Sequence, residues 1–495
     1  MNRHLQNSFV NTIIYSAGNI LNKSIAFLLI PLYARFLSPS DYGMLEIFLI
    51  TGNILFILCT LGIGSGFIRT FLFEAKTQQE RNVAGATCFI FITVLSLAFV
   101  LALILLSKKM SFVFFDSPDY SVWFVIIFAM VFFQAGSLIP FQLYRAEKQS
   151  IRFVILNSVK FALILCCTIY FVVTRKMGIV GVLYAHCAGV FVIYLVNYIY
   201  FRPYLVPAFS FTVLKKMLRY GLPLIPGALA LMIITSTDRI LLAHFCDHHE
   251  LGLYAMGFRF AMILELVLVN PFDQNWPAVH FSLAKEKDAA PTFAKIFTCY
   301  LLVGSFLCLG LILFTKVLIH TVTTPEYYRS YAVVPILVFA IFIRGMSSNL
   351  GVGIGISGRS EYYAIAVGVA AVLNIGLNVL FIPRFGMTGA AVATLLSFVC
   401  LQLVIFVFSY SLYPVKYEIK RILKIVFALC ISLLLYFATS PDSILMNLVL
   451  IVSLCAIFIL CLFVLGFFKK QEIERFTTML GNRFKLRKDF IRSIL

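Results

Sequence analysis

Apolar residues in this chain come in long unbroken runs, without the alternation of a sheet or the two-sided rhythm of a soluble helix. There are fourteen runs, centred near residues 22, 55, 95, 132, 162, 190, 232, 263, 305, 339, 372, 399, 430 and 456. Each is about 20 residues long, enough to cross a hydrocarbon core of ~30 Å as a helix. The first run follows Arg3 and His4 and lasts past Arg35, too long for a signal core, so it is read as a span.

Composition agrees with this pattern. The chain is 61% hydrophobic and 12% charged, whereas a soluble protein has roughly 25% charged residues. Twelve cysteines sit mostly inside the apolar runs, with no CxxC or Cys/His pair at ligand spacing. They read as small buried hydrophobes, and no metal or cofactor is expected.

The net charge of +19 would suit nucleic acid, but its placement points to a membrane. With the N-terminus inside, alternate connections carry 27 Lys and Arg on the inner side and 7 on the outer. That bias predicts both termini in the cytoplasm and an even number of spans. The basic tail, residues 469–495, reads as a contact for membrane-lipid headgroups, and no nucleic-acid partner is expected. Outer connections are short, so binding must occur within the membrane or at its faces.

The chain also repeats itself. Lys176-Met177-Gly178-Ile179-Val180-Gly181 is echoed 208 residues later by Arg384-Phe385-Gly386-Met387-Thr388-Gly389. Asp41-Tyr42-Gly43 is echoed by Glu250-Leu251-Gly252 at an offset of 209. A six-span repeat unit points both copies the same way across the membrane, related by an axis along its normal. The predicted fold is therefore an all-α membrane protein of about fourteen transmembrane helices. Two six-helix lobes form a parallel pseudo-two-fold repeat, with two extra helices at the C-terminal end. The boundaries are 1–205 for the N-lobe, 206–413 for the C-lobe and 414–468 for spans thirteen and fourteen. Pro223 and Pro226 open span seven as either flex points or static kinks.

Polar residues inside spans are candidates for function. Asn7, Asn11, Tyr15, Asn19, Asn22 and Lys23 share one face of the first span, which must meet protein or water. Asn374 and Asn378 are spaced for hydrogen bonding to a neighbouring helix, and His186 reads as an interhelical histidine. Cations within spans are Lys23, Arg35, Lys160, Arg239, Arg259 and Arg344; acids are Glu46, Asp238, Glu265 and Asp273. Arg35 and Glu46 flank the first outer turn, where snorkelling is cheap. Asp238 and Arg239 are adjacent and so each must meet a different neighbour. The excess of cations predicts an anionic guest, since Arg and Lys suit phosphate. Glu265 either carries a coupling proton or neutralises a cation. No Walker A loop, HExxH or GxSxG is present, so the chain does not read as an enzyme.

Several ordered stretches carry a family resemblance. They are Pro31-Leu32-Tyr33 with Leu37-Ser38-Pro39-Ser40-Asp41-Tyr42-Gly43, then Gly62-Ile63-Gly64-Ser65-Gly66-Phe67-Ile68-Arg69. They continue with Thr237-Asp238-Arg239-Ile240-Leu241-Leu242, Leu251-Gly252-Leu253-Tyr254, Trp276-Pro277, and Asn374-Ile375-Gly376-Leu377-Asn378 running into Ile382-Pro383-Arg384-Phe385-Gly386. Over residues 8–412 the chain resembles the Wzx-type polysaccharide flippases. Their superfamily also holds multidrug extruders and the lipid II flippase.

The resemblance implies alternating access around a central cavity in a bacterial cytoplasmic membrane. It implies an undecaprenyl-pyrophosphate-linked oligosaccharide as cargo, and polysaccharide polymerase and chain-length proteins as partners. On that reading Lys23, Lys160, Arg239, Arg259 and Arg344 contact the pyrophosphate, and Glu265 and Asp238 couple an ion. The match of Lys23 and Arg35 to the first-span arginines of the lipid II flippases is chemical and not literal. A cation-coupled multidrug extruder of the same fold, a lipid II flippase and a glycan polymerase are the alternatives. The excess of cations and the short outer loops disfavour the first and last of these.

Overall fold

The computed structural model describes residues 28–284, 286, 289–439 and 444–469, and every regular element among them is helical. Helix starts are written in the sequence. A helical stretch at residues 28–36 (α1) leads to Ser38, which caps α2, Pro39–Thr60, through a reciprocal capping box. The Ser38 hydroxyl accepts the Asp41 N–H at 3.1 Å, and the Asp41 carboxylate accepts the Ser38 N–H at 3.2 Å. Pro39 at the first helical position costs no hydrogen bond. A short α3, Ile63–Arg69, follows, and Thr77 with Glu80 forms a second capping box for α4, Gln78–Phe115.

Next come α5, Ser121–Ala146, α6, Ser150–Thr168, and α7, Gly178–Phe201. The short α8, Phe211–Gly221, ends in a tight turn at Leu222–Leu224, and α9, Ile225–Phe245, begins beyond it. The proline pair thus tightens the helix into one 3₁₀ turn, and the backbone stays right-handed helical through it. Asp247 caps α10, His248–Leu264, by accepting the Glu250 N–H at 2.7 Å. The Ser38 and Asp247 caps are 209 residues apart, so the repeat register holds at the level of helix starts.

The remaining helices are α11, Asn270–Leu283, α12, Ala289–Val322, α13, Val334–Arg344, α14, Ser347–Leu350, and α15, Val352–Ser357. They are followed by α16, Glu361–Leu412, α17, Ile419–Thr439, and α18, Ile444–Val464. The 52 residues of α16 hold two of the expected spans, because the run breaks at Gly386 (φ 53°, ψ −133°), three residues after Pro383. Among the described residues, twelve helical segments are long and apolar enough to cross a membrane, this broken run counting as one. The first expected span is described only from residue 28, and the basic tail beyond 469 lies outside the described residues.

The described residues form two compact units. One comprises Leu318–Tyr413 with Val279 and the described residues before it; the other comprises His280–Val317 with the described residues from Pro414 onward. In the second, Phe297 packs on Tyr417 and Phe306 on Phe458, and Lys424 donates to the Gly466 carbonyl at 2.9 Å.

In the first unit, glycine sets the tightest crossing. A Cβ on Gly43 would lie 2.1 Å from the His248 carbonyl oxygen, and one on Gly252 would lie 1.8 Å from that of Pro39. Under the offset of 209, Pro39 maps to His248 and Gly43 to Gly252. The two contacts are therefore the same contact made twice, as across a two-fold axis. The arms of α16 are tied by Asn374, which donates to Ser397 at 3.2 Å and accepts from Asn378 at 3.0 Å. Both asparagines are fully buried.

Candidate functional site

The Gly43–Gly252 crossing positions the charges. Glu46 lies three residues after Gly43 on α2, and Arg259 lies seven after Gly252 on α10. Both spacings return to the contact face of a helix, so the two side chains meet across it. Arg259 Nη2 donates to Glu46 Oε2 at 3.1 Å. Arg239, from α9, brings its Nε to 3.6 Å from Glu46 Oε1, an ion-pair contact too long for a hydrogen bond. Its Nη1 donates to the Thr235 carbonyl at 3.2 Å, and its guanidinium sits 4.0 Å over the Phe258 ring. Arg239 Nε is buried and has no hydrogen-bond acceptor among the described residues. The Arg259 side chain is 44% exposed, whereas those of Arg239 and Glu46 are each 7% exposed.

These three groups line a cavity of about 380 Å³ together with Lys160, His186 and Gln134. Lys160, from α6, donates to Asn157 at 3.2 Å and lies 5.1 Å from the Phe161 ring centre. No carboxylate among the described residues pairs with it. Glu46 is the one carboxylate in the described lining. Three cations and one anion leave the chamber two positive charges in excess.

A second cavity of about 300 Å³ shares His186, Arg259, Leu49, Phe161 and Met262 with the first. Its other walls are Leu29, Ile30, Tyr33, Tyr42, Ile263 and Leu266, so it is largely apolar. His186 Nε2 and the Tyr33 hydroxyl are 3.2 Å apart at the border. A third cavity of about 200 Å³ shares Gln134, Lys160 and Val190 with the first and continues past Asn157 to Arg145.

The structure thus brings Lys160, Arg239 and Arg259 to one chamber. Arg344 is not in that lining. It pairs with Glu265 at 2.9 Å, Asn270 donates to Glu265 at 3.4 Å, and Ser348 donates to Asp273 at 2.6 Å close by. In this state Glu265 neutralises a cation. Asp238 is fully buried, accepts from the Tyr254 hydroxyl and the Arg239 N–H, and lies 3.5 Å from the Thr394 hydroxyl. The adjacent pair diverges as expected, Asp238 toward α10 and α16, Arg239 toward α2. Lys23 lies outside the described residues.

Glu46 is where the expectation changes. It does not snorkel at an outer turn; it is 5% exposed and bridges two arginines. The signal was present but spread over two stretches: Gly43-x-x-Glu46 in one and Gly252 to Arg259 in its echo. It becomes readable only once those glycines are known to face each other.

Residues 8–275 match the sequence profile of the family described as "Polysaccharide biosynthesis protein". An uncharacterized membrane protein of Methanocaldococcus jannaschii is 23% identical over 409 residues, covering 76% of this chain and 78% of that one. Among solved structures, the lipid II flippase MurJ in an inward closed conformation aligns with a TM-score of 0.74 at 15% identity, covering 90% of this chain and 98% of that one. An inward-facing multidrug resistance MATE transporter of the MOP superfamily aligns at 0.66 and 14% identity, covering 79% and 94%. At these identities the solved structures bear on the fold alone.

Proposed function

Since the chain belongs to the polysaccharide biosynthesis protein family, we propose that it is a flippase. Its cargo on this reading is an undecaprenyl-pyrophosphate-linked oligosaccharide, carried across a cytoplasmic membrane by alternating access for surface polysaccharide assembly. The observation that carries the proposal is Lys160, a cation of a membrane-spanning helix with no carboxylate partner among the described residues, in one chamber with Arg239 and Arg259. Such a charge is costly in a membrane unless an anion joins it.

A pyrophosphate diester is a dianion, which matches the two excess positive charges. The adjoining apolar cavity suits the first isoprenoid units of a polyprenyl chain, and Gln134, Asn157 and Arg145 offer hydrogen bonds toward sugars. Arg344 contributes only after leaving Glu265. Ion coupling through Asp238 or Glu265, rocking of lobes 1–205 and 206–413, cytoplasmic termini and polymerase partners belong to the same proposal.

The test is reconstitution in liposomes with a labelled polyprenyl-pyrophosphoryl oligosaccharide, together with surface-glycan staining in cells lacking the native gene. Arg259→Ala and Lys160→Ala should reach the membrane at normal abundance and lose transport. Normal transport in both variants would remove this chamber from the mechanism. The multidrug reading wants intramembrane carboxylates facing the cavity; three cations to one carboxylate favour the anionic lipid.

A further inference from the structure

Arg239 and Arg259 face a shared cavity from adjacent helices, yet the carboxylate between them comes from α2, across the glycine crossing. Its hold on the two is unequal and incomplete. Arg259 is hydrogen-bonded at 3.1 Å, whereas Arg239 stays at 3.6 Å with its buried Nε lacking an acceptor among the described residues. A buried N–H without a partner costs free energy that a better-placed acceptor recovers. Phosphate oxygens entering the chamber could accept from Arg239 Nε and the more exposed Arg259, with Lys160 in the same lining. Glu46 would then lose both partners, and so would the ionic link between α2 and the α9–α10 pair.

We propose that Glu46 is a displaceable counter-ion. It holds the two arginines while the chamber is empty, yields them to a dianionic headgroup, and reclaims them on release. Its position makes it a coupling residue as well as a filler of charge. Arrival of the headgroup breaks the ion pairs beside the Gly43–Gly252 crossing and loosens α2 from α10. Glu46 also restrains affinity: without it the chamber carries three positive charges, and the headgroup binds too tightly to leave.

This inference rests on the pyrophosphate reading above. Full-length protein in zwitterionic-lipid nanodiscs is titrated with a short polyprenyl-pyrophosphoryl monosaccharide, its monophosphoryl analogue and phosphatidylglycerol. Hydrogen–deuterium exchange of residues 39–60 and 248–264 is followed in parallel. For wild type, the pyrophosphoryl probe should bind tightest and raise exchange in both helices. In Glu46→Gln, that probe should bind at least about tenfold tighter. Exchange should already be high without it, and transport in liposomes should be slower. Glu46→Asp should return partway in all three readouts.

If wild type does not prefer the pyrophosphoryl probe, the functional reading fails and this inference fails with it. If wild type prefers it, but Glu46→Gln binds no more tightly and keeps a probe-dependent rise in exchange, Glu46 is a structural ion pair and only this inference fails.

Discussion

Gly43 and Gly252, 209 residues apart, each lie against the backbone of the other's helix, with room for a hydrogen atom and for no carbon. The contact is reciprocal, so one substitution damages one of two equivalent close approaches. It also fixes the distance at which Glu46 meets Arg259. A packing feature and a charged site are therefore one piece of geometry.

Gly252→Ala should destabilise the protein by about 1–3 kcal/mol, because the new methyl meets backbone that cannot rotate away. Gly376→Ala should be neutral or slightly stabilising, since a Cβ there meets nothing within 4 Å and alanine is the better helix former. Thermal unfolding in detergent checks the pair; equal midpoints would show that the crossing is not tight.

The two Gly-x-x-Gly echoes predict different sensitivities. Gly178 and Gly386 both have positive φ, 57° and 53°, so alanine at either costs about 1–2 kcal/mol of backbone strain. A Cβ at Gly178 enters open space, but one at Gly386 would lie 2.1 Å from Glu250 Oε1, which accepts the Met387 N–H at 3.1 Å. Gly386→Ala should therefore cost about 1 kcal/mol more, the typical worth of a lost helix cap. Chemical denaturation of the two variants would reveal the difference, and Glu250→Gln should narrow it.

Lys160→Met should separate stability from function. Removing a half-buried cation that pairs with no carboxylate among the described residues relieves a desolvation cost, so the melting temperature should rise. Loss of a charge-assisted hydrogen bond should weaken binding of a pyrophosphoryl probe by roughly ten- to a hundredfold. A fall in melting temperature with unchanged binding would make Lys160 a scaffold residue.

Arg344 and Glu265 should behave as a pair. Arg344→Gln leaves a half-buried carboxylate and should cost about 2 kcal/mol, less than a fully buried pair because both side chains keep some exposure. The Arg344→Gln, Glu265→Gln double variant should recover most of that in a thermal double-mutant cycle. It should also bind the probe as wild type does. Loss of binding as complete as in Arg259→Ala would place Arg344 in the cargo chamber.

The sequence by itself determined the membrane class and the repeat. Long apolar runs admit little besides spanning helices. The offset of 209 was legible because the echoed glycines are fixed by backbone geometry that few residues satisfy. It also nominated Lys160, Arg239 and Arg259, because a charge in an apolar run stands out alone.

Only the tertiary structure decided which charges meet. Glu46 and Arg259 are 213 residues apart, and nothing local distinguishes that pairing from Glu265 with Arg259. Helix crossings choose partners, and the crossing here depends on two missing side chains. The same holds for Arg344, whose neutralisation by Glu265 comes from the packing of α13 beside the end of α10. Composition counts charges, but a site is made by their separations, and those are set where helices touch.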